Sequence, residues 1–181
     1  MKTLRELFLK LPYDGFVRNQ LRDFNLSSGR GRKAPSVKNL AESFGVEIRQ
    51  IRMPMSFAGR LVADCFTRSG FAIEVNDRHS VESRRFTVLH ELGHMLLGHV
   101  DATDIFLAPA HLNRGEDEFY IDATQEHEAN AFADVLLFGD GAIESAYSLH
   151  HGDRKRLAYV FGVTKPMVEI AIRKYGVERR K

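Results

Sequence analysis

The sequence has one cysteine, no tryptophan and no long hydrophobic run. With only Cys65 present, no intrachain disulfide can form, which suits a reducing compartment, and we expect this cysteine to be a small buried side chain. No apolar stretch approaches the roughly 18 to 20 residues that span a bilayer, and charges interrupt the first residues too often for a signal peptide. The composition therefore predicts a cytoplasmic protein without a membrane partner.

The small net charge of +2 conceals a separation of charge along the chain. Residues 1–52 hold eleven Lys and Arg against five Asp and Glu, and residues 154–181 hold nine against two. Residues 101–144 hold eleven acidic residues and a single basic one, Arg114. Basic ends around an acidic middle either pack against it or offer patches to nucleic acid, although ordinary solvated helix faces are the simpler interpretation.

The most informative stretch is His90-Glu-Leu-Gly-His94. Two histidines four residues apart project from one face of an α-helix, so both imidazoles can reach a single metal ion. Glu91 lies beside them, where it can take a proton from a metal-activated water. Gly93 costs about 1 kcal/mol of helix stability relative to alanine, so we expect it to serve close packing or metal access. The apolar flanks favour a metal site over a surface helix with incidental histidines.

Hydrophobic periodicity predicts the secondary structure around this motif. Strands are expected over residues 46–53, 59–68 and 71–75. Helices are expected before a break at residues 12–15, after it to residue 26, and over 36–44, 80–99, 124–138, 143–147, 154–161 and 166–175. The acidic stretch 100–122 is expected to be a loop, such as a flap over the site. The prediction is an α+β fold, with a small twisted β-sheet packed on the metal-binding helix and a mostly helical C-terminal part.

Residues 27–35 are the clearest boundary in the chain, because they are rich in serine, glycine and basic residues. We therefore expect residues 1–35 to form an N-terminal helical segment with a flexible basic linker. Residues 36–181 would form the metal-binding domain, which ends in a helical, basic segment. A length of 181 residues is compatible with one domain and a small appendage.

The motif supplies two metal ligands, and hydrolytic zinc sites commonly have three, with a fourth position left for water. His99 does not fit the metzincin spacing, which needs a histidine six residues after His94, and we expect it to end the helix, where the dipole favours a partly protonated imidazole. Glu126 and Glu128, and with them His127, are better candidates, because the alanines of their helix allow close approach to the metal helix. A solvated acidic helix face is the alternative.

Residues 86–99 followed by residues 126–137 resemble the ImmA/IrrE family of gluzincin-like zinc metallopeptidases, and the resemblance covers about residues 36 to 175. It implies a Zn²⁺ ion held by two histidines and a glutamate, with Glu91 as the catalytic residue. Aligned on the Glu-Ala-Asn-x-Phe-Ala segment, the ligands fall on His90, His94 and Glu128, with Glu126 in reserve. Shorter matching segments are residues 40–46, 73–76 and 157–163.

The resemblance implies hydrolysis of a peptide bond in a protein substrate, which in this family is often a helix-turn-helix transcriptional repressor of a mobile element or stress regulon. Glu91 would accept the proton of the attacking water and later protonate the leaving amine. An extended substrate could add as a strand beside residues 71–75. The candidates for a further oxyanion-stabilising group are Tyr120, Tyr147, His150 and His151.

Two other classes of function stay open at this stage. Ala158, Gly162 and Val168 have the spacing of a helix-turn-helix, which suggests a DNA-binding regulator, although residues 40–46 show the same pattern and a packing role explains both. The third class is a toxin-type module or partner-sensing scaffold that keeps the metal without hydrolysis. The sequence predicts no oligomeric state.

Overall fold

The computed structural model describes residues 1–30, 33–100 and 122–180. The strands are β1 Glu47–Ile51, β2 Gly59–Ala63 and β3 Phe71–Asn76. The helices are α1 Leu4–Phe8, α2 Gly15–Ser27, α3 Val37–Ser43, α4 Val81–Leu96, α5 Ala123–Phe138, α6 Ala142–Leu149, α7 Arg154–Phe161 and α8 Lys165–Tyr175, followed by a 3₁₀ turn Val177–Arg180. The predicted loop over residues 100–122 lies almost entirely outside the described residues.

The three strands form one mixed sheet in the order β1-β3-β2. Strand β3 is parallel to β1 and antiparallel to β2, so Ile73 lies between Ile48 and Leu61. Because β3 is central, it is buried along nearly its whole length, whereas β1 and β2 are partly exposed. Helix α4 packs on β2 and β3 on one side and on α5 on the other. The predicted α+β fold, with the sheet against the motif helix, is confirmed.

Side-chain caps set where several helices begin. Ser36 accepts a hydrogen bond from the Asn39 N–H before α3, and Ser80 accepts one from the Ser83 N–H before α4. Helix α4 ends before His99, because Gly98 adopts the left-handed conformation with φ 72°. These local signals explain why most predicted helix boundaries agree with the structure.

The turn between β2 and β3 differs from the prediction. Strand β2 ends at Ala63 rather than Arg68, because Asp64 begins a turn in which its N–H donates to Gly70 O and its carboxylate accepts from the Phe66 N–H. Cys65 therefore lies in this turn and is exposed, so the expectation of a buried cysteine is wrong.

The N-terminal helices share one hydrophobic core with the rest of the described chain. Leu7 of α1 and Leu21 of α2 are fully buried in the same cluster as Leu89 of α4. The buried Asn25 side chain donates to three carbonyl groups at the end of α5, which satisfies acceptors that a helix terminus leaves free. Ser28, at the start of the predicted linker, is also buried. The predicted domain boundary at residues 35 and 36 is not tested by this packing and stays a prediction.

The helix-turn-helix spacing of residues 158–168 is accounted for by packing. Gly162 ends α7 with φ 63°, and a Cβ there would lie 2.5 Å from Arg85 Nε and 2.7 Å from Ala34 Cβ. Arg85 in turn donates from Nε to Gly162 O at 2.9 Å, and Val168 is fully buried. The contacts of Gly162 with Arg85 thus hold the end of α7 against α4. DNA binding stays an untested prediction.

None of the described helices has the length and apolar character that crossing a membrane requires.

Candidate metal centre

Three side chains from two helices converge at one point between α4 and α5. His90 Nε2 lies 3.1 Å from His94 Nε2. The carboxylate of Glu126 reaches both rings, with Oε2 3.3 Å from His90 Nε2 and Oε1 3.1 Å from His94 Nε2. Within the described ranges, these are the residues whose potential ligand atoms form a group of metal-site size.

The spacing of these atoms fits a tetrahedral zinc ion. Ligand atoms about 2.0 to 2.2 Å from a tetrahedral ion lie roughly 3.3 to 3.6 Å from each other. The 3.1 Å between the two Nε2 atoms comes within a few tenths of this, and each Nε2 has a different Glu126 oxygen at 3.1 to 3.3 Å. Two imidazole nitrogens and one carboxylate oxygen are a common donor set for catalytic zinc. The arrangement also leaves a fourth direction without a protein ligand among the described residues.

The surroundings of the two rings favour the neutral form that a metal requires. Burial lowers the pKa of His90, and burial together with the neighbouring His90 lowers the pKa of His94 to about 4. His90 Nδ1 lies 3.2 Å from Asn130 Oδ1, which can only accept, so Nδ1 carries the proton and Nε2 presents its lone pair to the centre. Asn130 stands one turn after Glu126, and sequence reasoning missed it.

Glu91 lies between the metal centre and the sheet. Burial, reinforced by the charge of Glu126, raises the pKa of Glu91 to about 7, and the Leu61 backbone N–H donates to its carboxylate. Residues 58 and 64 form hydrogen-bonded pairs with β3 or its flanks, since the Asn76 N–H donates to Ala58 O and the Asp64 N–H donates to Gly70 O. Hydrogen-bonded pairs alternate with non-hydrogen-bonded pairs along an antiparallel ladder, so Leu61 belongs to a non-hydrogen-bonded pair and its N–H points away from β3. The carboxylate therefore stands at the outer edge of β2.

This arrangement corrects the predicted place of a substrate strand. Strand β3, which includes residues 71–75, is paired on both sides and has no edge to offer. The expectation of strand addition beside it is therefore wrong. Among the described residues, the edge nearest Glu91 is that of β2.

The structure does not bring Glu128 to the pair of Nε2 atoms. Its Oε2 lies 3.2 Å from His99 Nε2, and its Oε1 forms an ion pair with Lys10 of the N-terminal segment. The hydrogen bond from Lys10, together with that from His99, lowers the pKa of Glu128. Residues two apart on a helix point to different sides, so the face that presents Glu126 to the histidines turns Glu128 toward His99.

The remaining sequence candidates have other surroundings. His127 is exposed, and Tyr120 lies outside the described residues. Tyr147 is within hydrogen-bonding distance of Glu178 and Arg154 at the far end of the chain. His150 is the C-cap residue of α6, and His151, the next residue, is exposed. No hydrogen bond between the described residues joins any of these to the metal centre, so the oxyanion-stabilising group stays unassigned.

Close packing of α4 on α5 brings the two halves of the centre together. A Cβ on Gly93 would lie 3.2 Å from Ala129 Cα and 3.2 Å from two atoms of the Phe132 side chain. Gly93 therefore serves close approach of the helices, one of the two roles expected from the sequence.

Gly93→Val should therefore destabilise the fold. Overpacking typically costs 1–3 kcal/mol, and we expect the free energy of unfolding, measured by urea denaturation, to fall by about that amount. Gly15→Val is the matched control, because nothing lies within 4 Å of a Cβ at Gly15 near the start of α2. Equal stability of the two variants would contradict the packing role.

Comparison with protein-family models gives a match over most of the chain. Residues 41–173 match the family model Peptidase_M78, described as an IrrE N-terminal-like domain. The matched segment contains the whole sheet, α4 and α5, and most of α8, whereas α1, α2 and Lys10 precede it. No curated protein matches the chain.

Proposed function

This chain belongs to the Peptidase_M78 family of IrrE N-terminal-like domains, the ImmA/IrrE family, and we propose that it is a zinc-dependent peptidase acting on a protein substrate. The observation that carries the proposal is the convergence of His90, His94 and Glu126 within 3.3 Å of one another beside the half-buried Glu91. Membership supports the reaction class, and the donor set supports zinc as the ion.

His90 and His94 would hold the ion through Nε2, with Glu126 as the third ligand. When bound, zinc supplies a water activated for attack and polarises the scissile carbonyl. Glu91 accepts the proton of the attacking water on its carboxylate and passes it to the departing amine. Burial raises the pKa of the Glu91 carboxylate, and a carboxylate with a higher pKa is the stronger proton acceptor.

The substrate would bind as an extended segment along the outer edge of β2. Outward-facing backbone groups recur at every second residue of an edge strand, and Leu61 is one such position, already in contact with Glu91. Main-chain hydrogen bonds to a sheet edge supply affinity for a loop or unfolded stretch largely without regard to its side chains. Specificity would then rest on whether a partner protein can present an extended segment there.

We propose a helix-turn-helix transcriptional repressor as that partner, on the strength of the family resemblance. The test is to incubate the zinc-loaded chain with the repressor encoded nearest its gene and to locate any cut by mass spectrometry. We expect a single cut with the wild type and none with Glu91→Gln. A repressor left intact while an unfolded test protein is cleaved would reject the substrate class and keep the peptidase.

A further inference from the structure

A chain of hydrogen bonds leads away from the metal centre through residues that the proposed reaction does not use. His94 Nδ1 lies 3.1 Å from His99 Nδ1, and His99 Nε2 lies 3.2 Å from Glu128 Oε2. Glu128 is held from its other oxygen by Lys10. The side chain of His99 is only 7% exposed, so water does not readily replace these contacts.

The carboxylate of Glu128 fixes which nitrogen of each histidine carries a proton along this series of hydrogen bonds. An ionised carboxylate can only accept, so the nitrogen of His99 that faces Glu128, Nε2, must carry a proton. In neutral His99 the other nitrogen, Nδ1, is then an acceptor. It accepts the proton on His94 Nδ1, which leaves His94 Nε2 with its lone pair directed at the metal centre.

The end of α4 is shaped to place His99 beside His94. Gly98 takes the left-handed conformation at φ 72°, and the His99 N–H donates to His94 O at 2.9 Å. Together with the bond from the Gly98 N–H to Met95 O, this is a Schellman helix end. The backbone therefore folds back at Gly98, which brings the His99 side chain to the His94 ring.

We infer that His99 and Glu128 are positioning residues that fix the proton and orientation of His94 for metal binding, with Lys10 as an outer support. Glu128, which sequence alignment placed in the metal's coordination sphere, thus acts through His99 instead of on the ion. The inference deepens the proposed function and rests on the same metal centre, but it concerns metal binding rather than hydrolysis.

The test is zinc affinity, measured by competition with a chromogenic chelator on the full-length chain. Loss of a group that orients a ligand histidine typically lowers metal affinity 10- to 100-fold, and we expect this for His99→Leu. His99→Asn should recover to within about fivefold of the wild type, because the Asn oxygen lies close to the place of Nδ1 and can accept from His94.

Glu128 and Lys10 supply variants that leave the buried His94–His99 contact untouched. Glu128→Ala should lower zinc affinity about tenfold, whereas Glu128→Gln keeps an accepting oxygen and should lose little. Lys10→Met should change affinity less than threefold, because its ion pair is partly exposed. If His99→Leu does not fold, as judged by circular dichroism, the Glu128 pair decides the question.

A second readout follows the proton itself. In zinc-loaded, ¹⁵N-histidine-labelled protein, the His94 Nδ1–H should exchange slowly with solvent in the wild type and His99→Asn, and rapidly in His99→Leu. Unchanged affinity in His99→Leu, or an Asn variant no better than Leu, would overturn the inference. If the affinity order holds but no protein is ever cleaved, the positioning role stands and the peptidase proposal fails.

Discussion

Glu91→Gln should lower kcat by roughly 10² to 10⁴-fold, the range that general acid–base groups contribute, while zinc affinity changes only a few-fold. Glutamine has the size of glutamate, and its side-chain oxygen can still accept the Leu61 N–H that Glu91 accepts now. What it lacks is a basic oxygen that can take a proton from water. The loss should therefore fall on the chemical step rather than on metal or substrate binding.

The folded state of this variant provides the control. Burial raises the pKa of Glu91, so the folded chain binds a proton at this residue more tightly than the unfolded chain does. In the metal-free protein, its unfavourable contribution to stability grows as pH rises from the usual carboxyl range to about 7 and is then constant, because the carboxyl is ionised in both states. We therefore expect metal-free Glu91→Gln to be at least as stable as the wild type at pH 8, by urea denaturation. Full activity in a zinc-loaded variant would contradict the proton-transfer role.

Sequence reasoning located α4 and its histidines because both depend on local patterns. Residues four apart on a helix must share a face, and the capping serine and flanking apolar residues of this segment point to the same helix. Local patterns also predicted α3 and the apolar strand β3, whose residues are nearly all buried. Local rules therefore predicted the elements, and one reliable helix anchored half of the site.

What the sequence could not supply was how separate elements face one another. The pairing of β3 on both sides depends on where β1 and β2 lie in space, so its apolar run did not reveal that it lacked a free edge. Cys65 was expected inside because cysteine is usually buried, yet the Asp64 turn exposes it. In each case tertiary arrangement overrode a residue-level tendency.

The choice between two glutamates on one helix shows the same limit at the site. Alignment to a motif pointed to the helix that carries both Glu126 and Glu128, but a shift of two residues along a helix rotates the side chain by about 200°. Glu126 has Asn130 one turn after it, on the same face, and Asn130 contacts His90. A search for a carboxylate followed four residues later by a hydrogen-bonding partner for a ligand histidine would have favoured Glu126 over Glu128.

Glutamine at these two positions should separate the two roles. Zinc-finger peptides bind zinc with about 10–16 kcal/mol through four ligands, so one ligand accounts for roughly 2.5 to 4 kcal/mol, or on the order of 10²- to 10³-fold in affinity. We expect Glu126→Gln to lose zinc affinity on that scale, because a neutral amide is a poor ligand in place of a carboxylate. Glu128→Gln should stay within about threefold of the wild type, since its oxygen still accepts from His99.

The two variants are matched in chemistry, in helix and in number of atoms, so differences in folding should be small and unfolding curves of the metal-free proteins can verify this. Glu126 and Glu128 are both partly exposed, at 38% and 26% of their side chains, which makes a general loss of structure an inadequate explanation for a difference in zinc affinity. The reverse order, with Glu128→Gln impaired and Glu126→Gln unaffected, would restore Glu128 as the ligand. It would also remove the basis for the positioning role of His99 and Glu128, because one carboxylate cannot bind both the ion and His99 in the geometry observed.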